Sequence, residues 1–484
     1  MSDLVRGCAW VAALKEEMDA AKGSMDTNYA RSLYQLPLKL RCSSPSEHPY
    51  TPSLVSIGPK HHGDARFASM EIQKLRYLAS FITRNGSASS ENILMDCARE
   101  ISMKHTELRE CYGHILSSQG PGSAVDLDKI LLVDGCFILE LFIRFYKSDN
   151  GGHDHPIFRQ NTDADDPLLN VSWTQNVLRL DLALLENQIP FFILEDLFRR
   201  IAGHEHDELP KDFVANMALG FFKPLLQNAC FLSTPIQECG ESQTHLLHIL
   251  LSTYKVATGT DTVINIDNME CNSTYPSTAF IPSASVLKNS NMIFIVAPKR
   301  TLPEIEYANF VFKIPPLHLT DCTESFLSNL MAFEYWLETD PKIASYVALM
   351  SQLIQNQEDV NLLQDKGIII NGLGNGLSVL HMFQRLVTKN MPSKFCFKML
   401  CYQVNKDLER CHCLAEVLKR GYLRTKMGKI RLPIVIILLA TAWLFTMWFP
   451  WQFFVPIDGS SLLLIICALL ILGKELHNAL VFFD

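Results

Sequence analysis

A surplus of positive charge is missing from this sequence: 43 Lys and Arg stand against 51 Asp and Glu, a net charge of -8. Nucleic-acid binding by the bulk of the chain is therefore excluded, because neutralising phosphates needs a basic surface. Charge of either sign is scarce at 19%, beside 48% hydrophobic residues. That balance excludes a disordered chain and lets 484 residues bury a large core, in two to four domains by length. Regular cysteine spacing is also missing. The 14 cysteines form no CxxC pair, which fits reduced thiols better than a disulfide framework. Cys411-His412-Cys413 is the densest cluster, and adjacent ligands cannot complete a tetrahedral zinc site by themselves. The N-terminus lacks a secretory signal, because Asp3, Glu16, Glu17 and Asp19 interrupt its apolar patch. Trp10, Leu14 and Met18 instead line one face of an expected amphipathic helix within residues 1–30.

Catalytic signatures are absent too. There is no GxSxG, no P-loop and no kinase HRD or DFG. Gly372-Leu-Gly374-Asn375-Gly376 follows an apolar strand-like run, but Leu377 stands where a dinucleotide loop needs its third glycine. His204-Glu205-His206 lacks metalloprotease spacing, and Asp163 to Asp166 lacks the glycine and glutamate of a calcium loop, so both read as solvated.

The stretch from Leu180 to Ile201, LDLALLENQIPFFILEDLFRRI, is the most apolar before the C-terminal end. Asp181, Glu186, Asn187 and Gln188 punctuate it, and Pro190 has no N–H for the helical ladder. The reading is a buried helix that breaks and restarts at Pro190, with Asn187 and Gln188 satisfying freed carbonyls. Helices are also predicted over Glu71–Ile82, with Lys74 and Arg76 turned away from the apolar face, and over Glu91–Leu116. Lys129–Tyr146 is a second core helix carrying Glu140 and Arg144 four apart. Residues 147–170 and 255–279 are polar loops. MIFIVAP and NFVFKIPPLHL, between Asn291 and Leu319, form the β signal and predict a hairpin; Asp321 and Glu324 fit a capping box.

The most reactive-looking cluster is Gly58-Pro59-Lys60-His61-His62-Gly63-Asp64, two imidazoles, an amine and a carboxylate on a glycine-flanked turn. His61 and His62 are the metal or acid–base candidates, although adjacent histidines diverge and a structural turn accounts for the glycines and proline. His245 and His248 share a helix face, where zinc would require two further ligands. At the C-terminal end, Leu432 to Phe449 is uncharged and long enough to cross a bilayer. Lys419, Arg420, Arg424, Lys426, Lys429 and Arg431 precede it without an intervening acid, which places residues 1–431 in the cytosol by the positive-inside rule. A second apolar run, Ser461 to Gly473, leaves a membrane hairpin and a single span both open. Asn85, Asn170 and Asn272 head glycosylation sequons, which matter only if the body is lumenal.

Ordered blocks from about Tyr34 to Leu386 carry a resemblance. They include YQLPLKLR, YTPSLVSIGPKHHGDARFASMEIQKLRYL, LLVDGCFILELF, DLALLENQIPFFILEDLF, HLLHIL, IPSASVL, NLMAFE and GIIINGLGNGLSVLHMFQRL. The chain resembles the plant domain-of-unknown-function family 247. The resemblance implies a plant protein with a largely helical cytosolic region and a C-terminal membrane segment, and supplies no catalytic residues. Its motif residues here are Gly58, Pro59, His61, His62, Gly63, Asp134, Gly135, Glu140, Glu186, Asn187, Gln188 and Pro190. Lys60 stands where many members carry an aromatic residue, which argues against an essential amine.

The expected architecture is mainly α, with a small β-hairpin and a C-terminal transmembrane helix or helical hairpin. Its parts are the N-terminal helix (1–30), a helical globular domain (31–418), a basic juxtamembrane segment (419–431) and a membrane region (432–484). The expected function is that of a membrane-anchored, non-enzymatic interaction or signalling protein with a membrane and protein partners. It requires no cofactor, metal, nucleic acid or known small-molecule substrate. An enzyme with its site near Lys60–Asp64 is the first alternative. Cell-surface recognition by a lumenal body is the second.

Overall fold

A computed structural model describes residues 9–23, 49–84, 90–112, 126–150, 158, 166–202, 210, 212–226, 244–256, 280–297, 303–337, 341–389 and 395–417. The chain divides into two compact units, Met1–Asp407 and Leu408–Asp484; of the second, only the end of one helix falls within the described residues.

The first unit is mainly helical. Its N-terminal part contains α1 (Ala9–Gly23), α2 (Ala68–Thr83), α3 (Ser90–Met103), α4 (His105–Cys111) and α5 (Leu127–Asn150). Then come α6 (Pro167–Asn170), α7 (Ser172–Leu182), α8 (Phe191–Ala202), α9 (Phe213–Phe222), α10 (Leu246–Val256) and α11 (Ala284–Asn289). The helix expected over Glu91–Leu116 is two helices, with Lys104 between them; residues 113–116 lie outside the described residues.

α5 is the axis of this part. It is buried continuously from Ile130 to Ile143 because α2, α3, α8 and α9 all pack against it. Met70, Gln73, Lys74, Tyr77, Leu78, Phe81 and Ile82 recur at three- and four-residue steps on α2, giving it the buried stripe that lies on α5. Gly135 lets α8 approach closely: a Cβ there would lie 2.6 Å from Leu197 Cδ1. Aromatic rings fill the α5–α9 contact, with Phe142 and Phe221 centroids 5.4 Å apart and Phe145 edge-on to Phe221 at 5.3 Å.

The strands follow: β1 (Ile293–Val296), β2 (Glu306–Ala308), β3 (Val311–Ile314) and β4 (Leu317–Leu319). After them come α12 (Thr323–Trp336), α13 (Lys342–Leu353), α14 (Gln357–Asp365), β5 (Ile369–Asn371), α15 (Gly376–Lys389) and α16 (Lys398–Val417). Three strands form a sheet in the order β1-β3-β2, and β4 pairs in parallel with β5. The two β-rich runs expected to form a hairpin pair in parallel instead, Ile293 opposite Val311 and Val296 opposite Ile314. The hairpin is β2–β3. Its two-residue turn holds Asn309 at φ 49 and Phe310 at φ 64, the sense that matches strand twist, so the short β2 takes the antiparallel edge.

Two further expectations are corrected. The body is mainly helical as expected, but among the described residues no helix is long and apolar enough to cross a membrane, which overturns the expected C-terminal transmembrane helix. Leu432–Phe449 lies outside the described residues. The long helix α5 illustrates why: it is strongly apolar, yet Asp134, Glu140 and Arg144 interrupt it and it is spent on the protein core. The capping box expected at Asp321–Glu324 is also absent. The N-cap of α12 is Cys322 without a side-chain cap bond, and Glu324 reaches Arg385 at 2.6 Å. A capping box does form at Asn356 and Asp359 on α14.

Candidate functional site

The break between α7 and α8 is where most of the singled-out residues meet. α7 ends at Leu182, Pro190 is buried, and α8 starts at Phe191, whose N–H donates to Thr244 O at 2.9 Å. Fully buried Asn187 donates from Nδ2 to Asp181 O (2.9 Å) and Val55 O (3.1 Å) and accepts Ile57 N–H at Oδ1 (2.7 Å). Gln188 donates from Nε2 to Leu182 O (2.7 Å) and Leu184 O (2.8 Å). Its Oε1 accepts Leu247 N–H at 3.2 Å, in the first turn of α10. One glutamine thus ends one helix and starts another.

Residues 53–58 lie across this break as a strap whose backbone is held by buried side chains. The Asp181 carboxylate accepts three successive N–H groups, Ser53 (2.9 Å), Leu54 (2.6 Å) and Val55 (3.0 Å). Asp134 Oδ2 accepts Gly58 N–H at 2.8 Å, and Lys74 Nζ donates to Ser56 O at 2.5 Å. Gly58 has φ 71, and a Cβ there would sit 2.9 Å from Gln188 O, so both conformation and closeness require glycine. Lys74 is fully buried between Asp134 (2.7 Å) and Glu71 (2.8 Å). Burial alone would lower its pKa, but the two carboxylates outweigh it and hold the amine protonated above its ordinary range. For Asp134 burial wins and its pKa is raised, although Lys74 and the Gly58 N–H pull the other way.

A second charged cluster lies along the same α2–α5 seam. Arg84 grips Glu140 with two bonds (2.6 and 2.7 Å), and Arg144 Nε donates to Glu140 at 2.6 Å. Arg144 also reaches Asp166 (2.8 Å) and lies 4.4 Å above the Tyr77 ring. Tyr77 donates to Asp166 at 2.7 Å, while the other oxygen of Asp166 caps α6 through Leu168 N–H at 3.0 Å. The expectations that Asp166 is solvated and that Lys74 turns outward are both corrected, since these side chains are buried. The signal was present: Lys74 shares the three- and four-residue spacing of Met70, Tyr77 and Phe81, so a charge there belongs to the buried stripe.

The Gly58–Asp64 turn ends the strap. Lys60 pairs with Glu186 at 3.1 Å, both side chains partly exposed. Asp64 caps the single-turn helix Ala65–Phe67 and binds Arg66, whose hydrogen bonds hold its carboxyl below the usual range. His61 is half-buried and Nε2 is enclosed without a hydrogen-bond partner; burial lowers its pKa against the opposing pull of Glu186. His62 and Gly63 are exposed. Among the described residues, no three His, Cys, Asp or Glu side chains are placed to hold a metal ion.

His245 and His248 pack on Phe333, with centroids 4.6 and 5.4 Å away, and His245 Nδ1 accepts His248 N–H at 3.2 Å. Burial and the neighbouring His248 push the His245 pKa down to about 3. The glycine loop at 372–376 does join a strand, β5, to a helix, α15, with Asn375 Oδ1 accepting Leu377 N–H. Of the sequon residues Asn170 is exposed at the end of α6, whereas Asn85 and Asn272 lie outside the described residues. A pocket between Leu225, Tyr254, His318, Cys322 and Phe326 encloses about 40 Å³, enough for about one water.

These features define a mainly helical protein in which buried Asp181, Asn187, Asp134 and Lys74 hold its own backbone and a buried charge cluster ties its helices together. The family model described as a plant protein of unknown function, domain 247, matches residues 33–441; the chain belongs to that plant family. It is similar to a UPF0481 protein of Arabidopsis thaliana, 25% identical over 358 residues, covering 70% of this chain and 68% of the relative. A putative UPF0481 protein of the same plant is 26% identical over 248 residues, 50% of this chain and 41% of that relative. No solved structure matches.

Proposed function

We propose that this member of the plant family acts as a non-enzymatic interaction protein. The observation that supports it is the use of its polar residues: Asp134, Asn187, Lys74 and Glu140 are buried and bonded to the chain's own backbone and charges. Groups so engaged are held away from a substrate. Tyr335 and Trp336, 79% and 68% exposed at the end of α12, are side chains of the kind that anchor protein partners. Cross-linking of full-length protein in plant tissue tests this reading: Tyr335→Ser with Trp336→Ser is expected to lose partners that the unaltered protein retains. Metal-dependent turnover abolished by His61→Ala and His62→Ala would sink it.

One observation favours catalysis as a second reading, the enclosed and unbonded Nε2 of His61 beside the Lys60–Glu186 pair. Association with a membrane is a separate proposal that rests on the basic side chains from Lys419 to Arg431. Binding of the protein to anionic vesicles at low salt that is lost at high salt supports it, and failure to bind them at low salt counts against it. A glycosidase-sensitive mobility shift lost in Asn170→Gln would instead place the body in the lumen and favour extracellular recognition.

A further inference from the structure

We propose that the groove formed by α2 and α3 is a receptor for an amphipathic helix of a protein partner, with α1 as its in-chain placeholder. The inference deepens the interaction reading above. α1 presents Val11, Leu14 and Met18 to the protein, 5%, 0% and 3% exposed, at positions i, i+3 and i+7 of one face. α1 packs on α2 and α3 with these three side chains buried, whereas Ala12, Ala13, Glu16 and Asp19 are exposed. This is the anchor pattern of a helix laid in an apolar groove.

Two ion pairs at the rim set its orientation. Lys15 reaches Glu91 on α3 at 2.9 Å, and Glu17 reaches Lys129 on α5 at 2.8 Å. Their side chains are 29–70% exposed, so the pairs are screened and select a partner more than they hold one. The groove therefore fits a helix with three apolar anchors, a cation at the position of Lys15 and a carboxylate at that of Glu17.

α1 differs from the strap in what its departure leaves behind. The bonds that hold residues 53–58 come from Asp134, Lys74, Asp181 and Asn187, and none of them reaches α1. Undocking α1 exposes apolar surface but breaks none of those buried bonds. A free helix must compete with a tethered copy at high effective concentration, so a partner gains access as α1 leaves.

The probe is a fluorescently labelled peptide with the sequence of residues 9–23, titrated by anisotropy into full-length protein. Leu14→Asp in the protein is expected to bind it at least tenfold more tightly than the unaltered chain, whose groove is filled. Lys129→Glu added to that variant is expected to weaken binding about threefold, as is Glu17→Lys in the peptide. Equal affinity for both proteins, or no binding to a Leu14→Asp variant with native near-ultraviolet circular dichroism, overturns the proposal.

Hydrogen exchange on the unaltered protein provides a measurement independent of that variant's folding. Amides of α1 are expected to exchange at least 100-fold faster than those of α5, and equal protection overturns the proposal by making α1 part of the core. A protein that sediments as a dimer and becomes monomeric in Leu14→Asp assigns the groove to a second copy, which also overturns it. Failure of the peptide leaves the cross-linking result at Tyr335 and Trp336 to decide the interaction reading by itself.

Discussion

The α2–α5 seam carries two charge clusters, and they differ in what they grip. Around Glu140, Arg84, Arg144, Asp166 and Tyr77 join α2, α5 and α6 side chain to side chain, apart from the cap that Asp166 places on α6, and every member is buried. Around Lys74, the charges reach out of the helices to the strap's peptide groups at Ser56 and Gly58. Tyr77 against Phe137, 5.2 Å between centroids, is the apolar contact on the same seam. The first cluster has two cations against two anions. In the second, Glu71 remains 30% exposed and the surplus is negative. A closed cluster fixes the register of helices, whereas an open one lets helices dictate the path of an irregular segment.

If that distinction holds, the largest loss follows from Glu140→Ala, which removes the two Arg84 bonds and leaves Arg144 with Asp166, Ser80 and the Tyr77 ring. Removing one partner of a buried pair costs roughly 3–5 kcal/mol, read by urea unfolding. The change should lower stability throughout α2 and α5. Asn187→Ala comes next, at about 2–4 kcal/mol, because Ile57 N–H, Val55 O and Asp181 O each lose a partner in the interior. Its hydrogen-exchange signature should be confined to residues 53–58 and the α7–α8 break; equal loosening of α5 would erase the contrast.

Acid probes a third polar site, the partly buried His245 and the buried His248 packed on Phe333. With a folded pKa of about 3 and an unfolded value near 6.5, His245 takes up a proton on unfolding throughout that window. Stability therefore falls as pH drops below about 6.5, by up to roughly 1.4 kcal/mol per pH unit from this group, until about pH 3. His245→Asn keeps a side-chain acceptor and should flatten the dependence measured between pH 7 and 4. The smallest effect belongs to the strap's solvent end. Lys60→Ala removes only the partly exposed pair with Glu186 and should change stability by less than about 1 kcal/mol.

The restart after Pro190 was legible from a proline inside an apolar run, but the break begins earlier: α7 ends at Leu182, and Asn187 and Gln188 bind the carbonyls of Asp181, Leu182 and Leu184 there. The helical core over 71–82 and 129–146 was legible from spacing alone. The strap was not. Its bonds to Asp181 and Asn187 join residues more than 120 apart in sequence, and no local pattern carries that information. Lys74 and Asp166 were misplaced because a charge reads as solvated unless its partner is known, and their partners lie on other elements. The parallel pairing of β1 and β3 escaped for a similar reason: two β-rich runs do not reveal the short strand that comes between them in sequence.

The strap also sets an order of events during synthesis. Ser53 and its acceptor Asp181 are 128 positions apart, so at roughly 5–20 residues per second about 6–25 s separate their emergence. Within that interval Lys74 and Asp134, the partners of Ser56 and Gly58, are made first, while the N–H groups of Ser53, Leu54 and Val55 have no acceptor until Asp181 emerges. The N-terminal segment is made early and locked late, and the nascent chain passes through a stage at which a chaperone can bind what the break at Pro190 later encloses.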